Sequence, residues 1–261
     1  MGRREDPEVE GALAALVARV APELVVASGD LAHRGRPAEL DRAHALLTSL
    51  GPPVLAVPGN HDLPYTFPGR FTRPWAEFER RWGTTEPTYA SPALHVVGLN
   101  SARPWRQQGG ALPDEELRRA VERLGGADGG ACRVVVLHHH LLGAPWRAAR
   151  KRPLARRGAV LRTLADAGAE LILGGHIHQA TLGERREFEV VEGGTAATVL
   201  AVAPGLGQPR PGRTGEARGL NVCTIENEVL TVTTYVWWRG DWAPVAERRF
   251  ARGTGALASR T

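Results

Sequence analysis

Four short runs in this chain place a carboxylate, an amide and several imidazoles directly behind apolar stretches. They are Gly29-Asp30, Gly59-Asn60-His61-Asp62, His138-His139-His140 and Gly175-His176-Ile177-His178. Oxygen and nitrogen donors of these kinds suit a borderline divalent ion such as Mn2+, Fe2+ or Zn2+. Asp30 has two carboxylate oxygens and is the natural residue to touch two cations at once. Asn60 offers a neutral oxygen, and His138, His176 and His178 offer nitrogens. In the last run the two imidazoles lie two residues apart and face one side of an extended segment. A pair of ions about 3.5–4 Å apart clamps a phosphoryl group and generates a hydroxide nucleophile. Taken singly, Asp30 or Asn60 would read as strand-end turn chemistry; it is the agreement of type, order and context that points to metal. Within the histidine run, alignment with the strand end favours His138 as ligand, with His139 as its rival and His140 behind the ligands or facing solvent.

The elements that must carry these residues follow from the apolar runs at 24–27, 54–57, 134–137 and 171–173. In an open α/β sheet ligands collect at the carboxyl ends of strands, so four chain-distant runs can meet at one rim. Asp6-Pro7 reads as an N-cap and first-turn proline, followed by a helical stripe of Val9, Leu13, Leu16, Val17 and Val20. Pro37 opens a second helix that Gly51 closes. Further strands are expected at 94–99, 133–137 and 170–173, with helices at 114–124 and 157–167, an alternation that suggests βαβ units and a parallel sheet. Residues 63–90 are loop-rich, with prolines and exposed-looking aromatics, and suit the wall of a cleft. After residue 186 the pattern changes to strands at 188–191, 195–200, 220–225 and 229–237 with no helix between them, as in a second sheet packed on the first. Residues 203–219 read as an exposed loop. One domain over residues 1–252 and a disordered tail over 253–261 are expected.

With 261 residues, 43% of them hydrophobic and 23% charged, the composition is that of a globular protein able to bury a full core. No apolar stretch has the length of a membrane span and no leader is expected before the first helix. Cys132 and Cys223 are far apart and lack metal spacing, which favours a reduced, cytoplasmic setting. The net charge of +5 favours anionic partners. Lys151 is the lysine of the chain and every other Lys or Arg position is arginine, which binds phosphate in a planar, bidentate way. The basic run 146–152, continued by Arg156 and Arg157, reads either as a solvated helix approach or as a flap that gathers anionic substrate, with Trp146 able to stack on a base. Arg103, just past the strand at 94–99, is a candidate phosphate holder. His33 reads as a loop histidine or as a contact to metal or substrate, and His44 and His95 as structural. Trp237, Trp238 and Trp242 suit packing between sheets or a subunit contact.

With Gly98-Leu99-Asn100-Ser101 and Gly194-Thr195-Ala196 added, the motifs in this order resemble the calcineurin-like metallophosphoesterases across roughly residues 5–250. The branch they resemble most is that of the bacterial class III cyclic nucleotide phosphodiesterases. The resemblance implies an α/β fold, a four-layer α/β/β/α sandwich of two mixed sheets, with a dinuclear site at the strand ends. It implies that Asp30 bridges two divalent ions, that Asn60, His138 and His176 hold one, and that His178 helps hold the other. His61 would protonate the leaving oxygen or stabilise phosphoryl charge, and Asp62 would orient it. Members of that family begin with a strand ending in Asp-x-His, both of whose residues bind metal. This chain starts at Met1-Gly2-Arg3-Arg4, so the expectation is a missing first strand and one impaired metal site. The implied activity is hydrolysis of a small phosphoester, a phosphodiester such as a cyclic nucleotide. The alternatives are a nuclease or phosphomonoesterase on the same core, or a non-catalytic binding protein with a decayed site.

Overall fold

A computed structural model describes residues 6–106, 108–142, 151–188, 197–207 and 216–252. Helix α1 (Pro7–Val20) leads into strand β1 (Val25–Ala27), α2 (Pro37–Ser49) and β2 (Val54–Ala56). Two short helices, α3 (Gly69–Thr72) and α4 (Ala76–Trp82), precede β3 (Thr88–Ala90) and β4 (Leu94–Leu99). Then come α5 (Asp114–Gly125), β5 (Cys132–Leu137), α6 (Arg157–Asp166), β6 (Leu171–Gly174), β7 (Thr181–Glu184) and β8 (Val199–Val202). Three long strands close the described residues: β9 (Gly219–Glu226), β10 (Val229–Trp238) and β11 (Asp241–Ala251).

The main sheet has six strands in the order β3-β4-β5-β6-β8-β7. Its centre is parallel, with Leu99 beside Leu137 and Val136 beside Leu173, and its two edges, β3 and β7, are antiparallel. Side chains alternate as the pleat requires. Val134 and Val136 face an inner core with Leu55, Val57, Val96, Leu171, Val199, Leu230, Val232 and Phe250, while Val135 and Leu137 face α5 and α6 through Leu117, Leu124, Leu161 and Leu164. The facing layer is in two pieces, the parallel pair β1-β2 and the antiparallel β9-β10-β11. Outside it, α2 and α4 cover β1-β2 through Leu40, Leu47 and Phe78, and α1 covers the three-stranded piece through Leu13, Leu16 and the fully buried Trp242. The four-layer α/β/β/α order therefore holds, with the second layer split.

Several local expectations give way. Asp6 caps no N–H of α1 with its side chain; its carboxylate pairs with Arg218 at 2.7 Å instead. The stretch 63–90 contains α3, α4 and β3. Strands β7 and β11 were not expected, residues 189–196 lie outside the described residues, and Phe188 follows a 3-10 turn rather than opening a strand. Trp242 packs beneath α1 and not between sheets, while Trp238 is exposed. No helix among the described residues is long and apolar enough to cross a membrane.

Candidate metal centre

All four chemical runs lie just past the carboxyl ends of parallel strands: Asp30 after β1, Asn60 after β2, His138 after β5 and His176 after β6. The first two strands belong to the split layer and the last two to the main sheet, so the residues meet where the layers face one another. Two contacts join the layers there. His138 Nδ1 donates to the Ser28 carbonyl at 2.8 Å, and Ser28 Oγ donates to the Gly174 carbonyl at 3.4 Å.

The His138 contact also sets the chemistry of the ring. With Nδ1 committed as donor, Nε2 is the nitrogen left facing the cluster: it carries a proton while the ring is charged and presents a lone pair once that proton leaves. Around that one atom lie Asn60 Oδ1 at 3.2 Å, His176 Nδ1 at 3.2 Å and Asp30 Oδ1 at 3.3 Å. A single nitrogen cannot donate to three acceptors, whereas a cation among four lone pairs satisfies all of them. Ligands at 2.0–2.2 Å from a tetrahedral or octahedral ion lie roughly 3.0–3.4 Å apart, which matches this spacing. The buried Asp30 Oδ2 and His176 Nε2 have no hydrogen-bond partner among the described residues. The residues present therefore fit a divalent ion.

Backbone geometry supports close approach. Asp30, His176 and His178 adopt left-handed φ values of 56°, 71° and 58°, which non-glycine residues rarely hold without surrounding constraint. A Cβ at Gly29, itself at φ 92°, would lie 2.7 Å from both Gly59 N and His138 Nδ1. One at Gly59 would collide with the backbone and carboxylate of Asp30.

Burial pulls the Asp30 carboxyl upward, yet the positive charge of His138 and the hydrogen bonds to it hold Asp30 well below the usual carboxylate range. Burial likewise pulls His138 down, and Asp30 more than offsets it, so His138 lies above the usual histidine value. Burial and the neighbouring His138 push His176 and His139 down, leaving both neutral with lone pairs in place. His140 falls to about 4 through burial and the nearby Arg157.

The three adjacent histidines differ in their surroundings. Ser101 Oγ accepts the His139 backbone N–H at 3.2 Å and lies 2.9 Å from His139 Nδ1, which fixes the orientation of that ring. His139 Nε2 is buried with no hydrogen-bond partner among the described residues, and His139 lies within ligand reach of His138 and His176, so it stays beside His138 as a candidate ligand. His140 is buried, which leaves the place behind the ligands and excludes the solvent-facing one of its two expected positions. His178 is half-buried on the same turn as His176 and stands outside the tight group of four.

His61 sits beside this group. Its backbone N–H donates to Asp30 Oδ1 at 2.9 Å, and its Nδ1 lies 2.8 Å from the His33 carbonyl and 3.0 Å from the Tyr65 hydroxyl. The expectation that Asp62 orients this ring does not hold. Both Asp62 oxygens are taken by backbone donors, Ala32 N and Gly59 N, each at 2.7 Å. Asp62 therefore ties the Asp30 loop to the Asn60 loop, and His33 supplies the orienting acceptor. Burial and the Asp30 charge push the Asp62 carboxyl up to about 7. Arg103 is no phosphate holder either: it is buried, paired with Glu116, and donates to the Ala102 carbonyl. His95 is structural, bonded to the Arg123 carbonyl. Of the basic run, residues 146–150 lie outside the described residues, and Lys151 is buried. Sequence reasoning missed Ser28 and Tyr65, whose types carry no metal signal, and had Ser101 only as part of a motif, without its contact to His139.

Comparison with known proteins bears on the family and the fold. The model of the calcineurin-like phosphoesterase family matches residues 7–180. A probable cyclic nucleotide phosphodiesterase from Synechococcus sp. is 31% identical over 167 residues, covering 63% of this chain. The match spans 61% of that relative's length. Vacuolar protein sorting 29 from Cryptosporidium parvum superposes with a TM-score of 0.51 at 10% identity, covering 96% of this chain and 91% of that one, a likeness of fold.

Proposed function

The chain belongs to the calcineurin-like phosphoesterase family, and from that premise we propose that it is a metal-dependent phosphoester hydrolase acting on phosphodiesters. The observation that carries this reading is the convergence of Asp30, Asn60 and His176 on His138 Nε2 within 3.2–3.3 Å. These four residues would hold one divalent ion, and Asp30 Oδ2 with His178 would serve a second. Bound ions of this kind supply Lewis acidity at a phosphoryl group and lower the pKa of water. Two donors hold a divalent ion weakly, so this chain is expected to bind fewer than two tight equivalents. His61 keeps its Nδ1 proton on the His33 carbonyl, which leaves Nε2 as the atom that gives a proton to the leaving oxygen. Burial of the centre between two layers limits water and strengthens the electrostatics within it. Cyclic nucleotides are the substrate class supported by the Synechococcus relative.

Hydrolysis of bis(p-nitrophenyl) phosphate and of a cyclic nucleotide, measured with Mn2+ and after chelation, tests the proposal. Activity should vanish with chelator and return with metal, and Asn60→Ala should lower metal content and rate together by about 10–100-fold. Tight metal binding with no hydrolysis of either ester would make the chain a binding protein and overturn the reading.

A further inference from the structure

Exposed apolar surface is unevenly distributed over the molecule. Four aromatic side chains are exposed on two stretches, 65–71 with its short helix α3 and the turn at 105: Tyr65 is 50% exposed, Phe67 85%, Phe71 56% and Trp105 71%. None of them belongs to a core cluster, so none is spent on holding the fold together. The two stretches are pinned to each other. Arg70 donates through Nε to the Pro104 carbonyl at 2.7 Å and through a terminal nitrogen to the Pro64 carbonyl at 3.3 Å, and its guanidinium carbon lies 5.9 Å from the Tyr65 ring centre. Tyr65 in turn reaches the centre, with its hydroxyl 3.0 Å from His61 Nδ1 and the two ring centres 6.1 Å apart. The aromatic rim thus begins one contact away from the histidine assigned to the leaving oxygen.

We propose that this rim is a subsite for a planar aromatic group on the substrate's phosphoester, a nucleobase being the biological example. The proposal rests on the phosphoesterase reading of the centre and adds which side of the ester is recognised. A group held by these rings would lie on the leaving-oxygen side, because the rim is continuous with His61 through Tyr65. Exposed π-faces on a pinned frame bind any base by stacking, and the Arg70 cation beside Tyr65 adds attraction for a negatively charged ligand. Recognition of this kind is tolerant among bases and selective against substrates without a ring.

Calorimetric titration in Mn2+ with AMP and with ribose 5-phosphate separates the rim from the phosphate site, since the ligands share a phosphate and differ by the base. AMP should bind about tenfold tighter than ribose 5-phosphate, the scale expected for one stacked base. Phe71→Ala combined with Trp105→Ala should remove that advantage, and Trp105→Phe, which keeps a ring, should restore part of it to the Trp105→Ala protein. Both positions are exposed, so the variants should fold, and a melting curve matching the unaltered chain checks this. Equal affinities in the unaltered chain, or an advantage that survives the double substitution, would overturn the subsite. Failure of both ligands to bind would overturn it together with the reading on which it rests.

Discussion

At the scale of single residues, the centre depends on which hydrogen each histidine carries. His138 Nδ1 donates to the Ser28 carbonyl, His61 Nδ1 donates to the His33 carbonyl, and His139 Nδ1 lies 2.9 Å from Ser101 Oγ. These commitments assign lone pairs and donors before any ion arrives, and they separate two kinds of variant. His61→Ala should lower kcat by about 10²–10⁴-fold, the usual worth of a general acid, while metal content by elemental analysis stays at the level of the unaltered protein. Metal loss in His61→Ala equal to that in Asn60→Ala would show that His61 is a ligand. Asp62→Ala should behave differently again. Removing the carboxylate orphans the Gly59 and Ala32 N–H groups, at about 1–3 kcal/mol each, so stability in urea and metal affinity should fall together. The ligand types were legible in the sequence because Asp, Asn and His at strand ends carry their chemistry with them. The roles of Asp62 and Arg103 were not, because each depends on a partner brought near by folding: Ala32 is 30 residues from Asp62, and Glu116 is 13 from Arg103.

At the scale of elements, the loop between β1 and α2 shows how a helix start can serve a site. Glu39, in the first turn of α2, is buried and accepts the backbone N–H groups of His33, Arg34 and Arg36 at 3.2, 2.8 and 3.3 Å. It thereby shapes the loop whose His33 carbonyl aims His61. Glu39→Ala should cost about 2 kcal/mol in denaturant unfolding, typical of hydrogen bonds to a charged group. It should also lower kcat more than it raises KM, since His61 loses its aim while the metal donors keep theirs. A kcat per folded molecule equal to that of the unaltered chain would sink this link. The strands that carry ligands were readable because both their faces are buried or half-buried and they appear as apolar runs. Strand β11 was not readable for the opposite reason. It is an edge strand, mostly exposed, with Pro244 near a register shift and Glu247, Arg248 and Arg249 in sequence, so it shows neither apolar alternation nor strand composition. Its place follows from pairing with β10, which no local pattern announces.

At the scale of the whole molecule, the two ends of the sandwich do different work. Metal donors gather at the carboxyl ends of β1, β2, β5 and β6, while the opposite ends of β5 and β6 are joined to the three-stranded piece by one arginine. Arg252, just past β11, meets both oxygens of Glu170, just before β6, at 2.9 and 3.2 Å. The same guanidinium donates to the Asn227 carbonyl in the β9–β10 turn at 2.8 Å and to Gly130, ahead of β5, at 3.3 Å. Glu170 also accepts the Arg133 N–H at 3.2 Å. Both side chains are nine-tenths or more buried, so removal of one strands the charge of the other. Arg252→Ala should therefore lower stability by about 3–5 kcal/mol, well above the value for an exposed pair. Arg252→Met with Glu170→Leu should cost less than the sum of the two single changes, because neither charge is left alone. Full relief is not expected, since Arg133 N–H and the Asn227 and Gly130 carbonyls still lose partners. Urea unfolding of the four proteins measures the coupling. Because this joint lies at the end of the strands away from the metal donors, kcat and metal content per folded molecule should match the unaltered chain in all of them. Loss of metal from the folded Arg252→Ala protein would show instead that the two pieces of the second layer are positioned as one body, and that the centre depends on the joint at its far end.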